Sequence, residues 1–125
     1  MGGNSEKSSW FVKKSDKMIF SIGKHIKQII EGTKIQTRRQ SDKYQVGQLL
    51  AIQPGRGKTG IPAGKIKIVR KWMEDQYYDY ISNTDALAEG GYNPNVYEDL
   101  YYKMYGNWNQ RWAYEFVFVP SSELS

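Results

Sequence analysis

Two hydrophobic periods alternate along this chain, and the switches between them divide it into elements. Met18 to Ile22 is an apolar-rich run that reads as the first core strand. From about Lys24 to Glu31 the period lengthens. Ile26, Ile29 and Ile30 fall at i, i+3 and i+4, the buried stripe of a short helix, and Gly32 stands where a left-handed C-cap is expected. Thr33 to Tyr44 is polar and basic and reads as an exposed strand and loop. Val46 to Gln53 reads as a strand entered through a turn at Gly47. Lys65 to Trp72 alternates, with Ile66 and Ile68 inward and Lys65 and Lys67 outward. Pro54 to Gly64, between those strands, holds four of the twelve glycines and two of the four prolines, and is a loop. Tyr77 to Ile81 continues the sheet.

Two short helices follow. Ser82 and Asp85 have capping-box-like spacing at the start of the first, which runs to Glu89 and ends at Gly90-Gly91. Asn93-Pro94 opens the second, with proline at the first helical position, and Gly106 closes it. Its expected inner stripe is Val96, Leu100 and Met104, flanked by Tyr97 and Tyr101. The last strand, Trp112 to Val119, puts Trp112, Tyr114, Phe116 and Phe118 on one face. Strands dominate, connections are short and no βαβ rhythm occurs, so the pattern predicts an α+β domain: a small mixed barrel of about five to six strands decorated by short helices. Residues 1–17 read as a flexible basic leader, within which Trp10, Phe11 and Val12 dock as an edge strand. Residues 18–119 form the domain, and 120–125 a tail.

Length and composition narrow the class. The chain of 125 residues fits one domain. The absence of cysteine removes disulfides and thiolate metal sites, and no apolar run approaches the ~18 residues of a membrane span. The polar stretch Met1 to Ser9 has no signal-peptide h-region, so a cytoplasmic monomer with no membrane partner is expected. Charge is segregated. Residues 1–72 hold 16 of the 18 Lys/Arg and four of the 13 Asp/Glu, whereas residues 73–125 carry two basic and nine acidic residues. A basic face of this kind attracts polyanions.

Several motifs are decoys. Gly55-Arg56-Gly57-Lys58-Thr59-Gly60 spells G-x-G-x-x-G, but a strand follows where a dinucleotide fold needs a helix N-terminus. As a P-loop it fails because Ile52 stands where the first glycine is required. Arg56 and Lys58 remain as cations on a glycine-rich loop able to meet a phosphate. His25 is the only histidine and is assigned no chemistry, and no zinc set exists. The informative segment is Gly32-Thr33-Lys34-Ile35-Gln36-Thr37-Arg38-Arg39. In an extended chain Lys34 and Gln36 share one face, and Thr37 and Arg39 the other. A bend near Thr37 would bring Lys34 and Thr37 into one pocket, with Arg38 and Arg39 suited to phosphate. Among the 10 tyrosines, Tyr92 beside Glu89 and the diglycine is the candidate base-stacking residue.

Four stretches together resemble the ASCH domain: MIFSIGKHIKQIIEGTKIQTRR from Met18, then YQVGQLLAIQPGRGK, DALAEGGYNPNVYEDLYYKMYG and WAYEFVFV. Their marks are a helix ending in G-x-K-x-x-T-x-R, a valine-glycine turn into a strand, an A-x-x-E-G helix end and a closing apolar strand. The resemblance covers residues 18–119 and is to the small stand-alone forms of bacteria and phages. It implies a PUA-like barrel with a cleft for RNA or a modified nucleoside or nucleotide. One branch of the family is made of acetylcytidine amidohydrolases, whose lysine, threonine and glutamate match Lys34, Thr37 and Glu89. Gln48, in place of an acidic residue, and the long loop around Arg56 depart from that branch.

Two readings follow. In the first, the domain binds RNA or a modified nucleotide, with Arg38, Arg39, Arg56 and Lys58 on phosphate and Tyr92 on a base. In the second, it is an amide hydrolase needing neither metal nor cofactor: Lys34 in a desolvated cleft loses its proton and activates Thr37 or water, and Glu89 holds water or serves the leaving amine. Against the second stands a lysine–glutamate salt bridge that simply closes the cleft. Nuclease activity is a third reading, ranked last because cleaving a phosphodiester without a metal or a histidine pair is unusual chemistry.

Overall fold

A computed structural model describes residues 16–75 and 80–124. The edge strand expected at Trp10 to Val12 lies outside these residues, as does most of the sheet continuation expected from Tyr77. In chain order the elements are β1 (Lys17–Ile19), α1 (Gly23–Glu31), β2 (Gln36–Arg39), β3 (Leu49–Gln53), β4 (Gly64–Glu74), α2 (Asn83–Ala88), α3 (Pro94–Tyr105) and β5 (Arg111–Pro120), followed by a 3-10 turn at Ser121–Glu123. The five strands form one mixed sheet in the order β1-β3-β4-β5-β2. β1 runs parallel to β3, and every other pairing is antiparallel. The expected barrel is therefore an open sheet, because β1 and β2 are its two edges and do not pair with each other. No helix among the described residues is long and apolar enough to cross a membrane.

The long antiparallel pair of β4 and β5 is the spine, matched from Gly64↔Pro120 to Glu74↔Arg111 with a bulge between Ile68 and Arg70. Ile66 and Ile68, before the bulge, point into the core opposite Phe118 and Phe116; the bulge shifts the alternation, so Glu74, after it, lies with Arg111 on the other face of the sheet, where it too is buried. Gly64 is required where β4 begins, since a Cβ there would lie 2.3 Å from the carbonyl oxygen of Val119. The main core packs Met18, Phe20, Ile29, Leu50, Ile52, Ile66, Ile68, Tyr114 and Phe116 between α1 and the sheet. A second cluster, of Ile81, Ala86, Tyr97 and Tyr101, sits under α2 and α3 with Tyr105 and Trp108. The G-x-G-x-x-G loop joins β3 to β4 with no helix after it, as its context required.

α1 keeps Ile26 and Ile29 of its expected stripe against the core and loses only Ile30, whereas α3 buries a different face. On α1, His25 and Ile29 are buried while Ile30 is 42% exposed. On α3, Tyr97 and Tyr101 form the inner stripe, and Val96 and Met104 are about half exposed. Both stripes of α3 have i, i+4 spacing, so period alone does not choose between them. The tyrosines pack edge-on against Trp108 with centroids 6.2 and 5.0 Å away, which aligns the aromatic stripe inward. The capping expectations hold: Ser82 Oγ accepts from the Asp85 amide and Asn93 Oδ1 from the Val96 amide.

Candidate functional site

Chain reversals at the ends of α1 and α2 build the site. Gly32 adopts φ 85°, and the amides of Thr33 and Lys34 both donate to the Gln28 carbonyl, turning the chain off α1 toward β2. The Ile35 amide donates to the Ala88 carbonyl, which sets the last turn of α2 beside Lys34. Gly90, at φ 144°, packs so closely on α1 that a Cβ would sit 3.0 Å from Gln28 Oε1 and 3.1 Å from His25 Nε2. The diglycine thus lets Glu89 reach the interior, where it is 1% exposed.

Lys34 and Glu89 meet there. Lys34 Nζ donates to the carbonyl oxygens of Gln36 (2.8 Å) and Glu89 (2.6 Å) and to Glu89 Oε1 (3.2 Å). Burial pushes the Lys34 ammonium down, and the charge and hydrogen bond of Glu89 resist, leaving it at about 8. Behind this pair lies Arg38, whose side chain is fully covered. Its Nε and Nη2 grip Glu74 bidentately at 2.9 and 2.8 Å, Nη1 bonds Gln36 Oε1 and Glu89 Oε2, and Nη2 also reaches Asp85. All five guanidinium N–H groups are used by protein acceptors, which leaves none for a phosphate. The strand expected to be an exposed basic edge is instead buried at Gln36, Thr37 and Arg38, because carboxylates from β4 and α2 neutralise it. Burial alone would raise the Glu74 carboxyl, but the hydrogen bonds and charge of Arg38 hold it below its ordinary value. Trp72 Nε1 and Arg111 Nε complete its shell.

The opposite face of β2 carries Thr37 and Arg39, as the alternation predicted. Arg39 Nε donates to Thr37 Oγ1 at 3.1 Å and Nη2 to the Ile19 carbonyl at 2.8 Å, and its guanidinium lies 5.0 Å from the Phe20 ring centroid. A cavity of about 210 Å³ wraps this edge, at the seam between the two hydrophobic clusters. Lys34, Thr37, Arg38, Arg39 and Glu89 line it, with Phe20 and His25 on one side and Tyr97, Leu100 and Tyr101 on the other. β2 stays regular through Arg39, so Lys34 and Thr37 share the cavity without the expected bend. Burial and the charge of Glu89 hold the Tyr97 phenol well above its ordinary value, so Tyr97 is a neutral hydroxyl at this wall.

The remaining candidates lie elsewhere. Tyr92 is outside the cavity lining: its hydroxyl bonds His25 Nε2 at 2.6 Å, and Lys24 Nζ covers its ring at 4.2 Å. Arg56 borders a different cavity, and Lys58, whose carbonyl accepts from Gln53 Nε2, borders neither. His25, Phe20, Tyr97 and Tyr101 are among the lining residues that sequence reasoning missed. A usable signal existed for one of them, since His25 stands four residues before Ile29 on the helix face that is buried.

His25 has a measurable consequence. Burial, reinforced by Lys34, Lys24 and Arg39, pushes its imidazole from 6.5 down to about 3. Below 6.5 the unfolded chain takes up a proton that the folded chain refuses until about 3, so stability falls on acidification through that window. Glu74 adds its loss only below about 4.5, so the interval from 6.5 to 4.5 isolates the histidine. Urea unfolding at pH 7 and pH 5 should show a loss of about 1–2 kcal/mol, absent in His25→Gln. Equal losses in both proteins would mean that the folded histidine is not held neutral.

No family model matches the chain, and no curated protein matches it. Solved structures do. A tyrosine-to-phenylalanine variant of the ASCH protein from Zymomonas mobilis superposes with a TM-score of 0.59 at 14% identity, covering 86% of this chain and 73% of that one. A protein of the DUF984 family from Enterococcus faecalis V583 superposes with a TM-score of 0.52 at 16% identity, covering 83% and 80%. The chain has an ASCH-like α+β fold.

Proposed function

We propose that this domain binds one base of RNA or of a modified nucleotide in the cavity between β2, α1 and α3. The observation that carries the reading is the convergence of Lys34, Thr37 and Glu89 on a single cavity with Arg39 at its wall. Size restricts the occupant. Sites for drug-sized ligands span roughly 300–1,000 Å³, so about 210 Å³ suits a base with a small substituent rather than a folded polymer. Polarity restricts it further: charged and hydroxyl groups from β2 face aromatic rings from α3, the mixture that orients a planar polar heterocycle. Phe20 and Tyr97 take the stacking role first considered for Tyr92, which instead positions His25. Arg38 is a positioning residue, and Arg39 is the cation available to the ligand.

Titration calorimetry with cytidine, acetylcytidine and a short single-stranded RNA tests the reading. Binding is expected for at least one of them, weakened about tenfold in Arg39→Gln, and for the RNA it should fall with salt at a log–log slope of about 0.7 per phosphate contact. Silence of all three ligands at millimolar concentration would end the proposal.

One observation favours a second reading, amide hydrolysis of an acylated base. A lysine held near 8 is uncharged in roughly a tenth of molecules at pH 7 and about half at pH 8. In that state Lys34 is able to accept a proton from water or from Thr37 as the oxygen attacks the acyl carbon. The proton then passes to the departing exocyclic amine as the C–N bond breaks and cytidine leaves; attack by water gives acetate directly, whereas attack by Thr37 leaves an acetyl ester that a water molecule hydrolyses to acetate.

A further inference from the structure

A second cavity, of about 300 Å³, opens beside the first, and the two share one residue, Arg39. Its wall is built from three separate pieces of chain: the stretch after β2, which supplies Gln40, Ser41 and Lys43; the glycine-rich loop, which supplies Arg56; and the last turn of α3, which supplies Tyr105. Three cations therefore face this space, and no carboxylate lines it. That composition contrasts with the charge-compensated cations elsewhere in the sheet. Arg38 and Arg111 share Glu74, Lys34 has Glu89, Arg70 has Glu115 and Lys71 has Asp42. Arg39, Lys43 and Arg56 make no ion pair among the described residues. Like charges gathered around one hollow repel, and an anion removes that penalty.

Arg39 is also prepared to serve both spaces. Its Nε is tied to Thr37 and one Nη2 proton to the Ile19 carbonyl, and the plane is braced against Phe20, while Nη1 has no protein acceptor among the described residues. A guanidinium fixed on one edge with the other edge open is suited to bidentate contact with a phosphate.

We infer that the second cavity is a phosphate subsite for the same ligand whose base enters the first, so that the substrate class is a nucleotide or an RNA strand rather than a free nucleoside. The inference rests on the base-binding reading for its first cavity and adds the second. Arg56 and Lys43 supply the charge, and Arg39 sets the register between base and phosphate. The phosphate chemistry is shared by a terminal phosphomonoester and an internal phosphodiester.

The test compares cytidine, cytidine monophosphate and a cytidine-containing tetraribonucleotide by calorimetry, using wild type and the double variant Lys43→Gln with Arg56→Gln. Both side chains are on exposed residues and carry no ion pair, so the variant is expected to fold. In wild type the phosphate should tighten binding roughly 10- to 100-fold over cytidine, the range of one or two charge-assisted hydrogen bonds. The double variant should lose that gain while binding cytidine within about twofold of wild type. A gain shown by the mononucleotide identifies a terminal phosphate, and a gain confined to the tetranucleotide identifies an internal one. Equal affinity for all three ligands in wild type, or a phosphate gain that survives the double substitution, overturns the subsite and leaves base binding intact. If cytidine does not bind, but the phosphorylated ligands do in a manner dependent on Lys43 and Arg56, the subsite stands and the base cavity is what fails.

Discussion

Replacing Arg38 with methionine should destabilise the protein by about 3–5 kcal/mol, the typical cost of removing one partner from a buried ionic network. Methionine fills similar space, so the loss is electrostatic rather than a cavity. Without the guanidinium, Glu74 keeps Arg111 and Trp72, Glu89 keeps Lys34, and the bidentate bonds at 2.9 and 2.8 Å disappear. The sign of the pH effect follows. Arg38 is what holds the Glu74 carboxyl below its ordinary value against the opposing pull of burial. Once it is gone, burial favours the protonated acid, and neutralising Glu74 relieves the folded state. The difference between wild type and variant should therefore shrink as pH falls from 7 toward 4.5. Urea unfolding across that range measures both features. Arg38→Lys, which keeps the charge but loses the fork, should fall between. A loss below about 1 kcal/mol would mean that the network is not what keeps β2 buried.

That network also explains which parts of the architecture were legible from sequence. Helix ends were readable because their signals are local: Gly32, Ser82, Asn93-Pro94 and Gly106 all act within a turn of themselves. The faces of β2 were readable too, since alternation separates Lys34 and Gln36 from Thr37 and Arg39. The burial of that strand was not readable. Its charges are satisfied by Glu74, Asp85 and Glu89, which lie 36, 47 and 51 residues away from Arg38, and no periodicity reports a partner at such a separation. A row of basic residues with no nearby acid looks solvated until the fold supplies the acid. On α3 the two candidate stripes had the same spacing, and aliphatic hydropathy favoured the wrong one. Tyr97 and Tyr101 face inward because both rings pack edge-on against Trp108 in the second apolar cluster. Sheet closure was not legible either, because it depends on whether the two edge strands meet.

If Lys34 acts as a base, replacing it with methionine should lower release of cytidine from acetylcytidine by 10²–10⁴-fold, the usual contribution of a positioned proton acceptor. Loss of turnover alone would not separate chemistry from structure, because Lys34 also ties Gln36 to Glu89 through the carbonyl bonds at 2.8 and 2.6 Å. The pH profile does separate them. All three bonds from Nζ go to acceptors, so the lysine is an ammonium in this arrangement, and turnover should climb as it deprotonates through about 8. Glu89→Gln keeps the shape but removes the negative charge that resists the downward pull of burial. The lysine should then lose its proton at lower pH, and the rising limb of any residual activity should move to the acid side of the wild-type limb. A purely structural salt bridge gives no such displacement. Should wild type release no cytidine from acetylcytidine or from its monophosphate anywhere between pH 6 and 10, hydrolysis is excluded, and the pair serves instead to hold β2 and α2 together at the floor of a binding cavity.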